Sequence, residues 1–204
     1  MKVLMINGSP HPEGCTYTAL LEVAKTLAQL EVDSEIVHIG NKPVRGCIAC
    51  HKCDTLKRCV FDDDSCNGLL EQARQADGLI VGSPVYYAGP NGALCALLDR
   101  LFFSGAPSLR GKPSAAVVSC RRGGASAAFD RLNKYFTLNQ MPVVTSQYWN
   151  SVHGNTPEQV RQDLEGLQVM RTLGRNMAWL LHSLDGANLP PPEQEPRIAT
   201  NFIR

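Results

Sequence analysis

The stretch Val3 to Thr16, V-L-M-I-N-G-S-P-H-P-E-G-C-T, decides the fold. Val3, Leu4, Met5 and Ile6 form an apolar run without alternation, the pattern of a strand covered on both faces in a parallel sheet. Asn7 and Gly8 end it, and Ser9, Cys15 and Thr16 place small polar groups where a helix opens. A helix N-terminus offers unpaired N–H groups and the positive end of the dipole, so strand, loop and helix together suit an anion such as a phosphate.

The loop is neither of the two common nucleotide motifs. It lacks the Gly-Lys-Ser/Thr ending of a P-loop, so no lysine is placed to reach a β- or γ-phosphate. With Gly8 and Gly14 as its only glycines it is not G-x-G-x-x-G, and a terminal monophosphate fits it better than a dinucleotide. Taken alone, it also reads as an ordinary capped turn.

Outward from this stretch, strand and helix patterns alternate. Leu20, Ala24, Leu27 and Ala28 mark one face of a helix over Thr16 to Leu30, and Ser34 to Ile39 reads as a second strand. Gly40 to Cys66 has no periodicity, and an excursion of that length is usually functional. A helix over Asn67 to Ala76 leads to a buried strand, Gly78 to Val85, in which Pro84 cannot extend a central ladder. A helix spans Ala93 to Phe103, a fourth strand Pro113 to Cys120, a helix Ser126 to Leu138 and a fifth strand Pro142 to Gln147. The capping box Thr156-Pro157-Glu158-Gln159 launches a long helix to Leu184, with Val160, Leu164, Leu167, Leu173, Met177, Leu180 and Leu184 as its apolar stripe. There is no internal repeat.

These elements predict an α/β fold, a doubly wound five-stranded parallel sheet of order 2-1-3-4-5 with a cysteine-rich loop insertion. The chain divides into a domain over residues 1–184, with the cysteine-rich loop at 46–66, and an extended C-terminal tail over 185–204. In that order the chain reverses between the first and third strands, and ligands bind beyond the carboxyl ends of strands at such a point. The loops Asn7 to Thr16, Pro84 to Asn91 and Arg121 to Gly124 converge there.

Composition narrows the class. With 204 residues and a net charge of +1, there is no basic run of the kind that binds nucleic acid or a membrane surface. The few apolar residues before Asn7 are too short for a signal-peptide core, and no segment is long enough to span a membrane, so the expected compartment is the cytoplasm. In a reducing compartment, eight cysteines point to thiolates used as ligands or redox groups. Cys47, Cys50, Cys53 and Cys59 are spaced C-x2-C-x2-C-x5-C, which can wrap a [4Fe–4S] cubane. Zinc and a metal-free thiol loop are the rivals; zinc sites more often use two separated pairs. Cys15, Cys66, Cys95 and Cys120 read as packing or loop residues, and Asp62 to Asp64 as groups that solvate the loop or cap the next helix.

The motifs N-G-S-P-H-P-E-G-C-T at Asn7 to Thr16, S-P-V-Y-Y-A-G-P-N-G at Ser83 to Gly92 and C-I-A-C-H-K-C-D-T-L-K-R-C at Cys47 to Cys59 resemble those of the flavodoxin-like NAD(P)H-dependent FMN reductases. Within that family they are most similar to the iron–sulfur flavoproteins. The resemblance implies that Ser9, Pro10, Cys15 and Thr16 hold the FMN phosphate. It implies that Pro84, Val85, Tyr86, Tyr87 and Ala88 run along the isoalloxazine edge, with Cys120, Arg121, Gly123 and Gly124 near the pyrimidine side. Backbone N–H groups there would tune the ring. No side chain is assigned a catalytic role, His11 and His153 included.

The implied activity is electron transfer from NAD(P)H through FMN to a quinone, a flavin or another small acceptor. The alternatives are an iron–sulfur flavoprotein passing electrons between ferredoxin, a [4Fe–4S] cluster and FMN, and a non-catalytic thiol or metal redox sensor. The resemblance also implies a homodimer or homotetramer with FMN near the subunit interface.

Overall fold

In a computed structural model the chain is described over residues 1–187, 190, 192–196, 198 and 200. The elements are β1 (Lys2–Asn7), α1 (Cys15–Gln29), β2 (Asp33–His38), α2 (Cys53–Leu56), α3 (Cys66–Gln75), β3 (Gly78–Tyr86), β4 (Gly89–Pro90), α4 (Gly92–Leu109), β5 (Ser114–Cys120), α5 (Ala125–Leu138), β6 (Ser151–His153), α6 (Pro157–Val160) and α7 (Leu164–Gly186). The sheet runs β2-β1-β3-β5-β6, and every neighbouring pair on that path is parallel. The two-residue β4 folds back antiparallel on β3. Counting the parallel strands alone gives the expected order 2-1-3-4-5.

The apolar runs explain the two layers. Alternate residues of each central strand point to opposite faces. Leu4, Ile6, Leu79, Val81, Ala116 and Val118 pack under α3, α4 and α5. Val3, Met5, Ile80, Ala115 and Val117 pack under α1 and α7. Helix α1 buries Ala19, Leu20, Val23 and Leu27, so its stripe is centred on Val23, and the Ala28 expected on that stripe is exposed. Helix α7 lies so close to α1 that a Cβ on Gly174 would stand 2.8 Å from the Thr26 Cβ.

Three expectations are corrected. The fifth strand is Ser151–His153 rather than Pro142 to Gln147: Val143 makes only an isolated bridge to Ser114. A turn in which the Ser146 hydroxyl donates to Tyr148 O then interrupts pairing, which resumes after the buried Asn150 donates from Nδ2 to Ala116 O at 3.1 Å. The helix from Thr156 is also broken. Thr156 caps the short α6, and α7 restarts at Asp163, whose carboxylate accepts from Gly166 N at 2.9 Å and from His153 N at 2.6 Å. That restart turns the stripe, so Leu164 is exposed while Val169, Met170, Leu173, Met177 and Leu181 are buried. Finally, β3 does not stop at Pro84: Pro84 lies opposite Ser119, and the strand continues into the hairpin with β4.

Helix α4 reaches Leu109, six residues beyond the expected Phe103. Parts of the expected tail, residues 188–189, 191, 197, 199 and 201–204, lie outside the described residues. Pro192 O accepts from Arg110 Nη2 at 2.8 Å. Among the described residues no helix is long and apolar enough to cross a membrane.

Candidate functional site

Three loops gather at the carboxyl end of the sheet, as the strand order requires. The first is built on Asn7, which is fully buried: its Oδ1 accepts from Ser9 N at 3.1 Å and its Nδ2 donates to Pro12 O at 3.0 Å. The Ser9 hydroxyl accepts from His11 N at 3.1 Å, and His38 donates from Nε2 to Ser9 O at 2.7 Å. Gly8 N donates to Gly82 O at 2.8 Å, and a side chain on Gly8 would collide with Leu94. The loop is thus fixed by its own polar groups before any ligand arrives.

Helix α1 then starts at Gly14 without a side-chain cap. Its first-turn donors and the positive end of its dipole lie at the loop. The Cys15 thiol, raised by burial, lies 3.7 Å from Gly154 O. Thr16 is 1% exposed, and its hydroxyl shares a 2.8 Å hydrogen bond with Ser119 on β5.

In the second loop Tyr87 and Ala88 have φ of 48° and 60°. Two consecutive left-handed residues make the tight hairpin that joins β3 to β4. Neither is glycine, so each costs about 1–2 kcal/mol, and strain of this kind concentrates at ligand sites. Tyr87 is fully exposed and Tyr86 partly so. Ser83 pins the base of the loop, accepting from Asn91 N at 2.9 Å and donating to Pro84 O at 2.8 Å.

The third loop starts at Cys120, whose thiol donates to Gly123 O at 3.0 Å, and it ends at Gly124, where α5 opens without a side-chain cap. Arg121 and Arg122 are exposed. Gly154 N donates to Cys120 O at 3.1 Å, which joins this loop to the Cys15 contact of the first. Gly124 packs on Ala88 of the second. The three expected loops are therefore joined to one another at the carboxyl end of the sheet, beside two helix N-termini without side-chain caps. His11 and His153 are exposed, and His153 is engaged through its backbone with Asp163.

The cysteine motif forms a second centre. Cys47, Cys50, Cys53 and Cys59 line one pocket together with Ile48, Phe61, Arg100 and Phe103, so the loop is laid against α4. Ala49 and His51 have φ of 51° and 55°, which curls the chain between Cys47 and Cys53. Ala49 N donates to Cys47 Sγ at 3.4 Å, and Arg100 Nε donates to Cys59 Sγ at 3.2 Å. Burial and the adjacent Asp54 raise the Cys53 thiol. Among the described residues, no group of three or more His, Cys, Asp or Glu side chains converges on a single ion position.

Two residues that hold this pocket are not evident from the motif. Asn67 Nδ2 donates to Cys59 O at 3.1 Å and Phe61 O at 3.0 Å, while its Oδ1 accepts from Cys59 N at 3.0 Å. Arg100 is wholly buried, ion-paired with Asp64, and also donates to Arg45 O and Phe61 O. Burial opposes its charge, but the bonds to Asp64 and Cys59 outweigh that and raise its pKa. The signal for Arg100 is a lone arginine between Leu98 and Leu101 in an apolar helix. Of the three aspartates, Asp64 accepts from Cys66 N at the start of α3, and Asp62 and Asp63 pair with Arg58 and Arg45.

The family of NADPH-dependent FMN reductases matches residues 1–156. An iron–sulfur flavoprotein of Methanocaldococcus jannaschii is 32% identical over 190 residues, which cover 87% of this chain and 96% of that one. Among solved structures, RosB with a bound intermediate superposes with a TM-score of 0.73 at 14% identity, covering 100% of this chain and 92% of that one. An archaeal flavodoxin superposes with a TM-score of 0.60 at 15% identity, covering 89% of this chain and 99% of that one. At such identities the two structures establish the flavodoxin-like fold alone.

Proposed function

The chain belongs to the NADPH-dependent FMN reductase family and is a flavin-dependent oxidoreductase, and from that premise we propose that it works as an iron–sulfur flavoprotein. FMN occupies the three-loop crevice, and a [4Fe–4S] cluster is held by Cys47, Cys50, Cys53 and Cys59. The observation that carries this is the single apolar pocket lined by those four cysteines against Arg100 and Phe103. The donor set suits the group. A lone tetrahedral zinc needs its sulfurs gathered at about 2.3 Å from one point, whereas a cubane takes each cysteine on a different iron and accepts sulfurs spread around a pocket. The iron–sulfur name of the Methanocaldococcus relative supports the same assignment.

When bound, FMN exchanges a hydride or single electrons and the cluster exchanges single electrons. The protein's part is binding and tuning. Ser9, Pro10, Cys15 and Thr16, with the uncapped first turn of α1, hold the phosphate. Pro84, Val85, Tyr86, Tyr87 and Ala88, shaped by the strained turn at Tyr87 and Ala88, would hold the ring edge, with backbone N–H groups from all but Pro84. Cys120, Arg121, Gly123 and Gly124 place the N-terminus of α5 where it favours negative charge on the ring.

A cluster held by Cys47, Cys50, Cys53 and Cys59 would supply single-electron chemistry suited to a ferredoxin-type donor. A second route, hydride from NADPH and delivery to a quinone, a flavin or another small acceptor, is favoured by the exposure of Tyr86 and Tyr87, which leaves the crevice open to a second planar ring. Anaerobic mixing separates them. Rapid bleaching of the flavin by reduced ferredoxin, with NADH and NADPH inert, is the expected result; rapid bleaching by NADPH with ferredoxin inert would reverse the assignment.

The protein works as a homodimer or homotetramer with FMN near the interface, in keeping with the exposed aromatic rings of Tyr87, Tyr148 and Trp149. All eight cysteines are unpaired, which fits the reducing cytoplasm.

A further inference from the structure

The geometry points to Arg100 as the residue that positions the fourth cysteine and raises the reduction potential of the cluster. The inference rests on the assignment of a cluster to the four-cysteine pocket. Arg100 projects from α4, outside the cysteine motif, and its side chain is 0% exposed. Four of its five N–H groups have partners: Nε donates to Cys59 Sγ at 3.2 Å, Nη1 to Arg45 O at 3.3 Å and to Asp64, and Nη2 to Phe61 O at 3.2 Å. A guanidinium held at so many points is fixed in place, and it fixes Cys59 with it. Cys59 is the ligand that most needs this, because five residues separate it from Cys53, the last of the closely spaced Cys47, Cys50 and Cys53.

The electrostatic effect has a definite sign. Reduction adds negative charge to a cluster and its thiolates, and an N–H···S bond from a cation stabilises that charge, the more so because the Arg100 guanidinium is itself out of water. Asp64 balances the guanidinium from the side away from the sulfur, through Nη1. Removing Arg100 alone would strand the Asp64 carboxylate, which is 6% exposed. A paired variant avoids this.

The test uses the full chain purified without oxygen as wild type, Arg100→Met/Asp64→Asn and Arg100→Lys. Iron, sulfide and FMN per chain are measured together with cluster and flavin midpoint potentials. The expected result is a more negative cluster potential in the double variant, a smaller shift in the same direction in Arg100→Lys, and a flavin potential unchanged in both. Loss of iron with FMN retained in the double variant, reversed in Arg100→Lys, also supports the positioning role. A cluster potential unchanged in Arg100→Lys and in any double variant that folds overturns the inference and leaves the cluster assignment standing. Wild-type protein with FMN but no iron or sulfide after reconstitution overturns both.

Discussion

Gly124 and Ala88 meet backbone to backbone: a Cβ on Gly124, whose φ is +92°, would stand 2.8 Å from the Ala88 Cα. This contact locks the turn after β3 to the start of α5, and so couples two walls of the crevice. Gly124→Ala meets both a steric clash and a left-handed backbone, with an expected cost of about 1–3 kcal/mol. FMN affinity should fall about tenfold, as read by fluorescence titration. Wild-type affinity in a destabilised variant would detach these loops from the flavin.

Thr16 and Ser119 share a buried hydroxyl bond between α1 and β5. When Ser119 is the donor, the Thr16 hydrogen is free for a phosphate oxygen. Thr16→Val strands Ser119, which costs about 1–3 kcal/mol in the urea transition, and it should also weaken FMN binding. Thr16→Ser should keep both properties near wild type. A Thr16→Val protein with unaltered FMN affinity would remove the hydroxyl from the phosphate site.

Asn67 clamps the segment from Cys59 to Phe61 with three hydrogen bonds, so Asn67→Ala should loosen the cysteine loop more than the sheet. The expected outcome is faster proteolysis between Cys47 and Phe61 and lower iron retention, with FMN content unchanged. Cleavage at the wild-type rate would show that the loop is held elsewhere.

Burial pushes the Cys66 thiol up from 9.0 to about 12, with Cys59 and Asp64 adding to the rise and Arg100 opposing it. The folded state therefore keeps a proton that the unfolded chain releases. Stability is unaffected below pH 9 and falls as pH rises from 9 toward 12, by up to about 1.4 kcal/mol per pH unit. Cys66→Ala should flatten that slope in denaturation experiments at pH 8 and pH 10.5, whatever its own baseline stability. A slope equal to wild type would contradict the shift.

Much of this was legible in the chain because local pattern and tertiary structure agree. The unbroken apolar runs at Val3 to Ile6 and Gly78 to Val81 read as strands covered on both faces, and their alternation with helices implies a parallel sheet. The three crevice loops follow from its strand order. The errors arose where a side chain from elsewhere overrides local propensity. Asp163 restarts α7 because it also serves β6, and Asn150 restores pairing after a turn that no β-propensity anticipates. Arg100 and Asn67 act on Cys59 across 41 and 8 residues, so the spacing of the cysteines cannot reveal them.

The central claim is tested most directly by absorption spectroscopy with flavin, iron and sulfide analysis of protein purified without oxygen. One FMN with about four iron and four sulfide per chain is the predicted result; a chain that takes up no flavin after reconstitution would contradict the account.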